Sequence, residues 1–428
     1  MTFGAELTFI SLSKFLKKPK HPARYLSIPD ENDGLMRNLL FIVFLGTLNL
    51  LSAQTLIKVS GTITDAENKE GVPGVNVFLN NTTFKALTDL EGKFEFYAKP
   101  GTYQLVVYSH GYDPVLEDIE VKAGVSKWQI EIRPLTYDLE HITITDRRSR
   151  EWYDNLEIFK QALLGNTFNG QKTKILNPTA LVLERKGDRL IAQATDVLKI
   201  ENPRLKYQIE YILVDFELDL KKKTIRYEGY PAFTDLMKTT DKKTDQRRKV
   251  AYLGSYRHWV QSLLSGTSVK KGYEMYRMIM IPNPAIPSHD TLTYIRNMIE
   301  LYQQGAGPAP SSQQLELLGR ASLSPEIEVA DSVLWRYWEE LRFDQQGGWL
   351  SGPQRLKVVY KKERPSGMYA LQMSTFGDQQ ISTAHIATDT LRLDPRGLVN
   401  PSEHITFTGY MGWERLGDML PLGYESEE

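Results

Sequence analysis

The sequence contains no cysteine among its 428 residues. This absence excludes disulfide scaffolds, thiol nucleophiles, cysteine-ligated zinc or iron–sulfur sites, and the lipidated cysteine of a bacterial lipoprotein. A surplus of either charge is also absent, because 52 Lys and Arg residues face 53 Asp and Glu residues. Because the charges balance, the protein has no overall positive electrostatic potential that would attract nucleic acid. We therefore expect no nucleic-acid partner.

Catalytic motifs are missing as well. Zinc carboxypeptidases need a His-x-x-Glu pair, and none of the seven histidines has a glutamate three residues later. The HExxH, Walker, GxSxG and Rossmann patterns are absent too. We therefore disfavour a zinc carboxypeptidase and predict no metal site and no cofactor. A hydrolase built from scattered carboxylates stays open as an alternative.

Residues 36–53 read MRNLLFIVFLGTLNLLSA, with the basic Arg37, an apolar run, and small residues before Gln54. This is the pattern of a secretory signal peptide, and the run is shorter than the ~20 residues of a membrane span. We expect translation to start at Met36, with residues 1–35 an untranslated or disordered extension. The mature chain is expected to have no transmembrane span and to be periplasmic, associated with the outer membrane, or secreted.

The stretch 57–134 consists of short alternating runs separated by turn residues about every ten positions, the pattern of a β-sandwich. In its clearest run, Tyr103, Leu105 and Val107 share one face, because side chains alternate along a strand. Gln104, Val106 and Tyr108 share the other face. We predict an all-β sandwich over residues 54–134, with one of these two faces in its core.

The motifs of this stretch follow one another in a specific order: SGTITD, GVPGVNVFL, TDLEGKFEF, PGTYQLVV and HGY. Together they resemble the carboxypeptidase-regulatory-like domain, an Ig-like or transthyretin-like sandwich. The resemblance implies a module without catalysis of its own. In Gram-negative envelope proteins this module often follows the signal peptide and precedes uptake receptors or domains of unknown role. Most of residues 152–424 is similar to an uncharacterised region that follows it there.

Beyond a linker strand at 135–150, helical and strand periods alternate, which predicts a larger α+β domain over 151–428. Glu151–Leu164 has one apolar stripe and a candidate N-cap, Ser149, and so predicts a helix. Pro- and Gly-rich runs bracket a helical pattern at about 281–325. We predict a flexible insertion there.

Five further segments carry specific expectations. Leu205–Leu220 is a long strand whose apolar phase switches, so we predict either a bulge or a strand buried on both faces. The charge run Lys238–Lys249 is expected to be a solvated loop, and Val250–Leu264 a helix. Arg355–Lys361 and Tyr369–Thr375 are expected to be paired strands.

Ser255 and His258 are the weak catalytic candidates of the sequence. They line up on one face of the predicted helix, as a hydroxyl nucleophile and its base would. Hydroxyl activation also needs an orienting acid and an oxyanion site, and the sequence identifies neither. A structural histidine is therefore the favoured interpretation.

These observations favour an exported cell-envelope protein that acts as a non-catalytic binding module for an envelope protein, a peptide or a glycan. Trp128, Trp349 and Trp413, or an edge strand, are candidates for its surface, although packing in the core or between domains is the favoured interpretation of these tryptophans. One alternative is an accessory component of an outer-membrane uptake or assembly system. The other is a hydrolase in the C-terminal domain, which predicts a concave site that combines several of the residues Asp196, Glu228, Arg257, His258 and Glu414.

Overall fold

A computed structural model describes most of the chain after the predicted signal peptide. Residues 1–35, the signal-peptide segment 36–53 and most of the linker 135–150 lie outside the described residues. The described ranges are 56–124, 127–135, 148–239, 241–344, 347–375, 377–424 and residue 426.

The N-terminal part is a β-sandwich, as the alternating pattern predicts. Its two sheets have the strand orders β4-β1-β7 and β3-β2-β5-β6. The strand pairs are antiparallel except for β1 and β7, which run parallel. The strands are β1 (Ile57–Asp65), β2 (Asn76–Leu79), β3 (Lys85–Leu87), β4 (Lys93–Ala98), β5 (Gly101–Tyr108), β6 (Val115–Val121) and β7 (Trp128–Ile132).

The face of β5 that lies in the sandwich core is the one that carries Tyr103, Leu105 and Val107. The opposite face of the same strand is buried as well. Val106 on β5 and Phe78 on β2 pack against Ile212 and Ala232 of the following region. This sheet is therefore covered on both sides.

The next region is a sheet with two helices. Its strand order is β8-β11-β12-β10-β9, and β13 also pairs with β12. The strands are β8 (Lys174–Ile175), β9 (Leu181–Lys186), β10 (Arg189–Ala194), β11 (Leu198–Asn202), β12 (Tyr207–Asp219) and β13 (Thr224–Asp235). The helices are α1 (Arg150–Leu164) and α2 (Phe168–Lys172), and a short 3-10 turn spans Pro178–Ala180.

Helix α1 forms as the sequence predicts. The Ser149 side chain accepts a hydrogen bond from the backbone N–H of Trp152, and Gly165 ends the helix with a φ of 87°. Its apolar stripe packs on the sheet, where the rings of Phe159 and Phe216 lie 4.6 Å apart. The predicted irregularity of the long strand is also present, as a register shift between Leu213 and Asp215.

The charge run Lys238–Lys249 is not a solvated loop, and that expectation is wrong. Most of it belongs to helix α3 (Lys242–Tyr252), whose N-cap Asp241 accepts from the backbone N–H of Lys243. Arg248 turns inward and is only 4% exposed. Its guanidinium donates to both carboxylate oxygens of Asp235, at 2.8 and 2.9 Å. The cap and this partly buried ion pair hold the helix against the sheet.

The predicted helix Val250–Leu264 is divided between two helices. Gly254, with a φ of 78°, breaks the chain after α3, and α4 (Tyr256–Leu264) follows. Helix α4 buries Trp259 in the last core of the chain.

This last core lies between two sheets of strand order β15-β14-β18-β19-β22 and β16-β17-β20-β21. The strands are β14 (Tyr273–Pro282), β15 (Glu326–Leu334), β16 (Leu341–Asp344), β17 (Gly347–Ser351), β18 (Arg355–Tyr360), β19 (Gln380–Ile386), β20 (Thr390–Asp394), β21 (Leu398–Val399) and β22 (Ile405–Gly409). The helices are α5 (His289–Gln303), α6 (Ser312–Arg320), α7 (Gly367–Met373) and α8 (Tyr410–Trp413), with 3-10 turns at Tyr337–Glu339, Ser402–His404 and Leu416–Asp418.

The expected strand Tyr369–Thr375 is wrong, because most of it lies in helix α7. Ser366 caps this helix by accepting from the backbone N–H of Tyr369, and Ser374 ends it in the left-handed conformation. The residues between them include Met, Ala, Leu and Gln, which favour helix. Strand β18 pairs with β14 and β19 instead.

The predicted insertion at about 281–325 contains helices α5 and α6 and connects the paired strands β14 and β15. Beyond Arg277, β14 no longer pairs with β18 and continues with β15 alone. We call residues 277–334 the arm. It consists of this two-stranded extension together with α5 and α6.

Candidate functional site

Ser255 is the N-cap of helix α4. Its Oγ accepts from the backbone N–H of His258 at 3.3 Å and donates to the carbonyl of Tyr252 at 2.7 Å. The hydroxyl proton is therefore directed at a backbone carbonyl. This geometry gives Ser255 a structural role at the start of the helix.

The imidazole of His258 is buried, with 1% of the residue exposed. Its Nδ1 accepts from the backbone N–H of Gly254 at 3.2 Å, which places the ring proton on Nε2. The hydroxyl of Tyr273 lies 2.9 Å from the same Nδ1. The rings of Tyr252 and Tyr360 also pack on the imidazole. His258 therefore belongs to a buried aromatic network.

Arg257, the next candidate, anchors the end of the chain. Its guanidinium is buried and donates to five backbone carbonyls between 2.7 and 3.3 Å away. These five hydrogen bonds fix the backbone of the residues that accept them. The accepting residues are Arg396, Leu420, Pro421, Leu422 and Tyr424.

The remaining candidates do not converge on one site. Asp196 is exposed and accepts from the backbone N–H of Val197, while Glu228 is exposed on β13 beside Tyr230. Only Glu414 shares a neighbourhood with His258, because its charge helps to raise the pKa of Tyr273, the residue bonded to His258. The concave site that the hydrolase alternative predicts is not assembled from these residues.

Three carboxyl groups with raised pKa values lie near one another at the C-terminal end of the fold. Burial raises the pKa of Glu363 to about 7 and that of Asp418 to about 6. Burial, reinforced by the charges of Asp418 and Glu363, raises the pKa of Glu414 well above its usual value. The sequence pointed only to Glu414, since Glu363 and Asp418 belong to no motif.

Asp418 is held by hydrogen bonds. Thr167 donates to it at 2.7 Å and Asn169 at 2.9 Å, and Asn169 also accepts from Arg204 at 2.9 Å. Both carboxylate oxygens of Asp418 are therefore occupied. These hydrogen bonds connect the C-terminal turn to the start of helix α2.

Neither a metal cluster nor a membrane span emerges from the described ranges. Within them, no three His, Asp or Glu side chains are grouped to hold a metal ion. None of the described helices combines the length and hydrophobicity that crossing a membrane requires.

The arm exposes more large hydrophobic side chains than the longer sandwich does. Leu292 and Ile295 anchor α5 by burial. By contrast, the described residues of the sandwich at 57–134 expose four large hydrophobic side chains, Leu87, Leu90, Tyr97 and Leu116. Nine are exposed on the shorter arm: Ile279, Met280, Tyr294, Leu301, Tyr302, Leu315, Leu323, Val333 and Leu334.

The three tryptophans proposed as a surface do not form one. Trp413 is only 7% exposed and Trp128 packs against the sandwich core, so neither offers the expected open face. Trp349 is 39% exposed, donates to Asp344 at 2.8 Å and stacks under the guanidinium of Arg392. The favoured interpretation, packing, holds for Trp128 and Trp413.

Several solved structures are similar to parts of this chain. A type II cohesin–X-dockerin complex from Acetivibrio cellulolyticus is 23% identical, with 18% of this chain and 58% of that chain covered and a TM-score of 0.17. A DUF3823 family protein from Bacteroides ovatus is 10% identical, with 43% and 83% covered and a TM-score of 0.17. A protein of unknown function from Bacteroides fragilis, described as membrane-associated, is 10% identical, with 78% and 92% covered and a TM-score of 0.15.

TM-scores this low do not establish a shared overall fold. No curated protein matches the chain. At the level of sequence families, residues 59–144 match the model of the CarboxypepD_reg-like domain. The N-terminal sandwich is therefore similar to carboxypeptidase-regulatory-like domains, as the ordered SGTITD to HGY motifs predicted.

Proposed function

We propose that this protein is an exported cell-envelope protein that binds another protein through the arm, without catalysis. The observation that carries this proposal is the exposed apolar surface of the arm. A concentration of exposed apolar side chains on one segment of a folded protein is a feature of interaction sites. Met280, Tyr294 and Val333 are 57%, 61% and 66% exposed there.

Strand β15 adds a second feature that suits a protein partner. It is the outermost strand of its sheet and, in the described structure, pairs only with β14. The outer edge of such a strand presents backbone N–H and C=O groups to an added strand. Protein partners can use this edge, whereas a small ligand gains little from it.

The arm also has features that disfavour pairing of its edge strand with other copies of the chain. The register of β14 and β15 shifts between Tyr276 and Met278, and Glu328 on β15 forms an ion pair with Arg355. Bulges and charged side chains on an edge strand disfavour open-ended aggregation. These features favour a specific partner over self-assembly into fibrils.

Export is proposed on the signal-peptide pattern of residues 36–53. The neighbouring sandwich supports an envelope role, because similar modules follow the signal peptide in envelope proteins. In this proposal the sandwich packs on the β12–β13 hairpin and supports the region that carries the arm.

The test is a pull-down from solubilised envelope with the mature chain 54–428 as bait. The arm variant carries Met280→Lys and Val333→Lys, and the matched control carries Leu87→Lys and Leu90→Lys on the sandwich, where both leucines are exposed. We expect one partner to be retained by the wild type and the control, and at least about tenfold less by the arm variant, a loss of about 1.4 kcal/mol.

Equal retention by the arm variant would place the binding surface elsewhere. Loss of the partner in both variants would indicate that retention depends on general surface hydrophobicity. Either result contradicts the proposed role of the arm.

A further inference from the structure

The open edge of strand β15 has a defined hydrogen-bonding pattern. The backbone N–H of Asn283 donates to the carbonyl of Pro325 at 2.9 Å, so residue 325 points its backbone at β14. Along an antiparallel pair, residues that bond to the neighbouring strand alternate with residues whose N–H and C=O point away from it. The backbone groups of Glu326, Glu328 and Ala330 therefore point away from β14, toward the open edge.

These backbone groups are accessible to an added strand. In the described structure β15 pairs with β14 alone. The carbonyl of Glu326 also accepts from the Oγ of Ser324 at 2.8 Å, which leaves its second acceptor position open. In an antiparallel pair, each residue of this kind exchanges two hydrogen bonds with the residue opposite it. An added segment of about five residues would therefore bond to β15 at every second position.

The two faces of β15 differ in chemistry, because side chains alternate along the strand. Glu326 and Glu328 lie on one face, and Ile327 and Val329 lie on the other. Residues that oppose each other in neighbouring strands have their side chains on the same face. An added strand therefore places the side chains of its bonding residues beside the two glutamates, and those of its intervening residues beside the isoleucine and the valine.

The charge of the arm is negative. Residues 277–334 include six Asp and Glu against three Arg and no Lys, and β15 itself has three acidic residues and no basic one. The carboxylate of Glu328 pairs with Arg355, whereas Glu326 is exposed and forms no ion pair within the described residues. Opposed like charges destabilise strand pairing and opposite charges stabilise it. A second copy of β15 is therefore a poor partner, and a basic strand is a suitable one.

We propose that the partner adds to β15 an extended segment in which lysine or arginine alternates with apolar residues. Its basic side chains lie beside Glu326 and Glu328, and its apolar side chains lie beside Ile327 and Val329. The methylene groups of a lysine also cover Met280, which is opposite Glu328 and 57% exposed. This inference rests on the proposed function, since it takes the partner to bind the arm, and it adds the chemical class of the segment that binds.

The test is fluorescence anisotropy at low ionic strength, with the chain 54–428 and dye-labelled peptides. The basic alternating peptide is Lys-Val-Lys-Val-Lys-Val. One control, Glu-Val-Glu-Val-Glu-Val, reverses the charge, and another, Lys-Lys-Lys-Val-Val-Val, keeps the composition but removes the alternation. We expect the basic alternating peptide to bind at least about tenfold more tightly than either control, because it alone combines the charge and the spacing.

Methylation of the peptide nitrogens tests the strand pairing. In the proposed pairing, the lysine N–H groups of the peptide point at β15 and the valine N–H groups point away from it. Methylation of the lysine nitrogens should therefore weaken binding at least about tenfold, and methylation of the valine nitrogens should change it by less than about twofold. Equal weakening by the two modifications would contradict addition at this edge.

Two charge reversals on the arm test the position of the segment. Glu326→Lys should weaken binding of the basic alternating peptide at least about fivefold, because it places a like charge beside the lysines. The matched control, Glu300→Lys, makes the same change at an exposed position on α5 and should bind as the wild type does. Circular dichroism establishes that both variants are folded. Equal weakening in the two variants would indicate general electrostatic attraction and would overturn the inference.

Two combined results separate this inference from the proposed function. Loss of the pull-down partner in the arm variant, together with equal binding of the three unmodified peptides, would overturn the basic segment and leave the arm as the binding surface. Selective binding of the basic alternating peptide, together with full retention of the pull-down partner by the arm variant, would support addition at β15 and overturn the arm as the surface that this partner uses.

Discussion

The sandwich and the region that follows it bury different chemistry. Among the described residues of the sandwich, the buried polar side chains are Asp65, Thr82 and Thr88, and the rest of its core is apolar. The larger region buries charged and titratable groups, including Arg248 and Arg257. One part is therefore stabilised mainly by apolar packing, and the other depends also on buried polar networks.

The difference teaches where sequence patterns carry information. An apolar core is specified by alternation, because each strand places every second side chain on the same face. A buried polar network is specified by partners that are remote in sequence. Arg257, for example, donates to the carbonyls of Leu420 and Tyr424.

The largest loss of stability is expected from Arg257→Met, which removes the side chain that donates to five backbone carbonyls. Leaving a buried acceptor without its donor costs about 1–3 kcal/mol per group, so we expect a loss of about 3 kcal/mol or more in the free energy of unfolding. Urea denaturation followed by circular dichroism measures it. Arg336→Met is the exposed control and should change the free energy by less than about 0.5 kcal/mol. Equal effects of the two changes would contradict the anchoring role.

The apolar counterpart is Leu105→Ala in the sandwich. Leu105 is 1% exposed, and truncation of a buried leucine costs about 2–5 kcal/mol through lost burial and the cavity left behind. We expect about 3 kcal/mol, measured in the same urea experiment. Leu90→Ala, at an 84% exposed position, should be close to neutral. A small effect at Leu105 would show that the core collapses around the cavity.

The pH dependence of stability separates the two parts further. Burial raises the pKa of Asp418 to about 6 in the folded protein. The folded state thus holds this proton more tightly than the unfolded state, and the stability it contributes is full below about pH 4 and is lost as the pH rises through about 6. We expect Asp418 to contribute a fall of about 1–3 kcal/mol between pH 4 and 7.

The comparison with Asp418→Asn isolates that contribution from those of other groups. The difference in unfolding free energy between wild type and variant should change over this range in the stated direction. A difference that is constant with pH would show that Asp418 keeps an ordinary pKa in the folded protein.

The smallest change in the free energy of unfolding is expected at the contact between the sandwich and the larger region. Lys85 on β3 and Glu210 on β12 form an ion pair at 3.0 Å, and both side chains are more than a quarter exposed. Partly exposed pairs contribute about 0–1 kcal/mol, so Lys85→Met should change the unfolding free energy by less than about 1 kcal/mol. A double-mutant cycle with Glu210→Gln measures the coupling. A coupling well above that value would indicate that the ion pair fixes how the two parts pack.

Much of the fold was predictable from local signals. Helix α1 with its Ser149 cap and the irregularity in β12 both followed from periodicity and capping residues. The errors occurred where local signals conflict with tertiary contacts. The charge run was expected in solvent because nothing in its composition shows that Arg248 is buried and pairs with Asp235.

The candidate sites were less predictable. Ser255 and His258 have the spacing of a catalytic pair, but the same spacing places a cap and a buried ring on one helix turn. Glu363 and Glu414 come from separate elements, so no spacing rule identifies them as neighbours. The exposure of the arm depends on where β14 leaves its contact with β18.

The sequence by itself determined the sandwich, its family resemblance, the exclusion of cysteine chemistry and most element positions, because these depend on composition and on periods of two or 3.6 residues. Only the tertiary structure decided which charges are buried, which apolar residues of the arm stay exposed, and which carboxyl groups come together. Those properties depend on contacts between residues far apart in the chain, and burial changes the free energy of a charged group far more than its neighbours in sequence do.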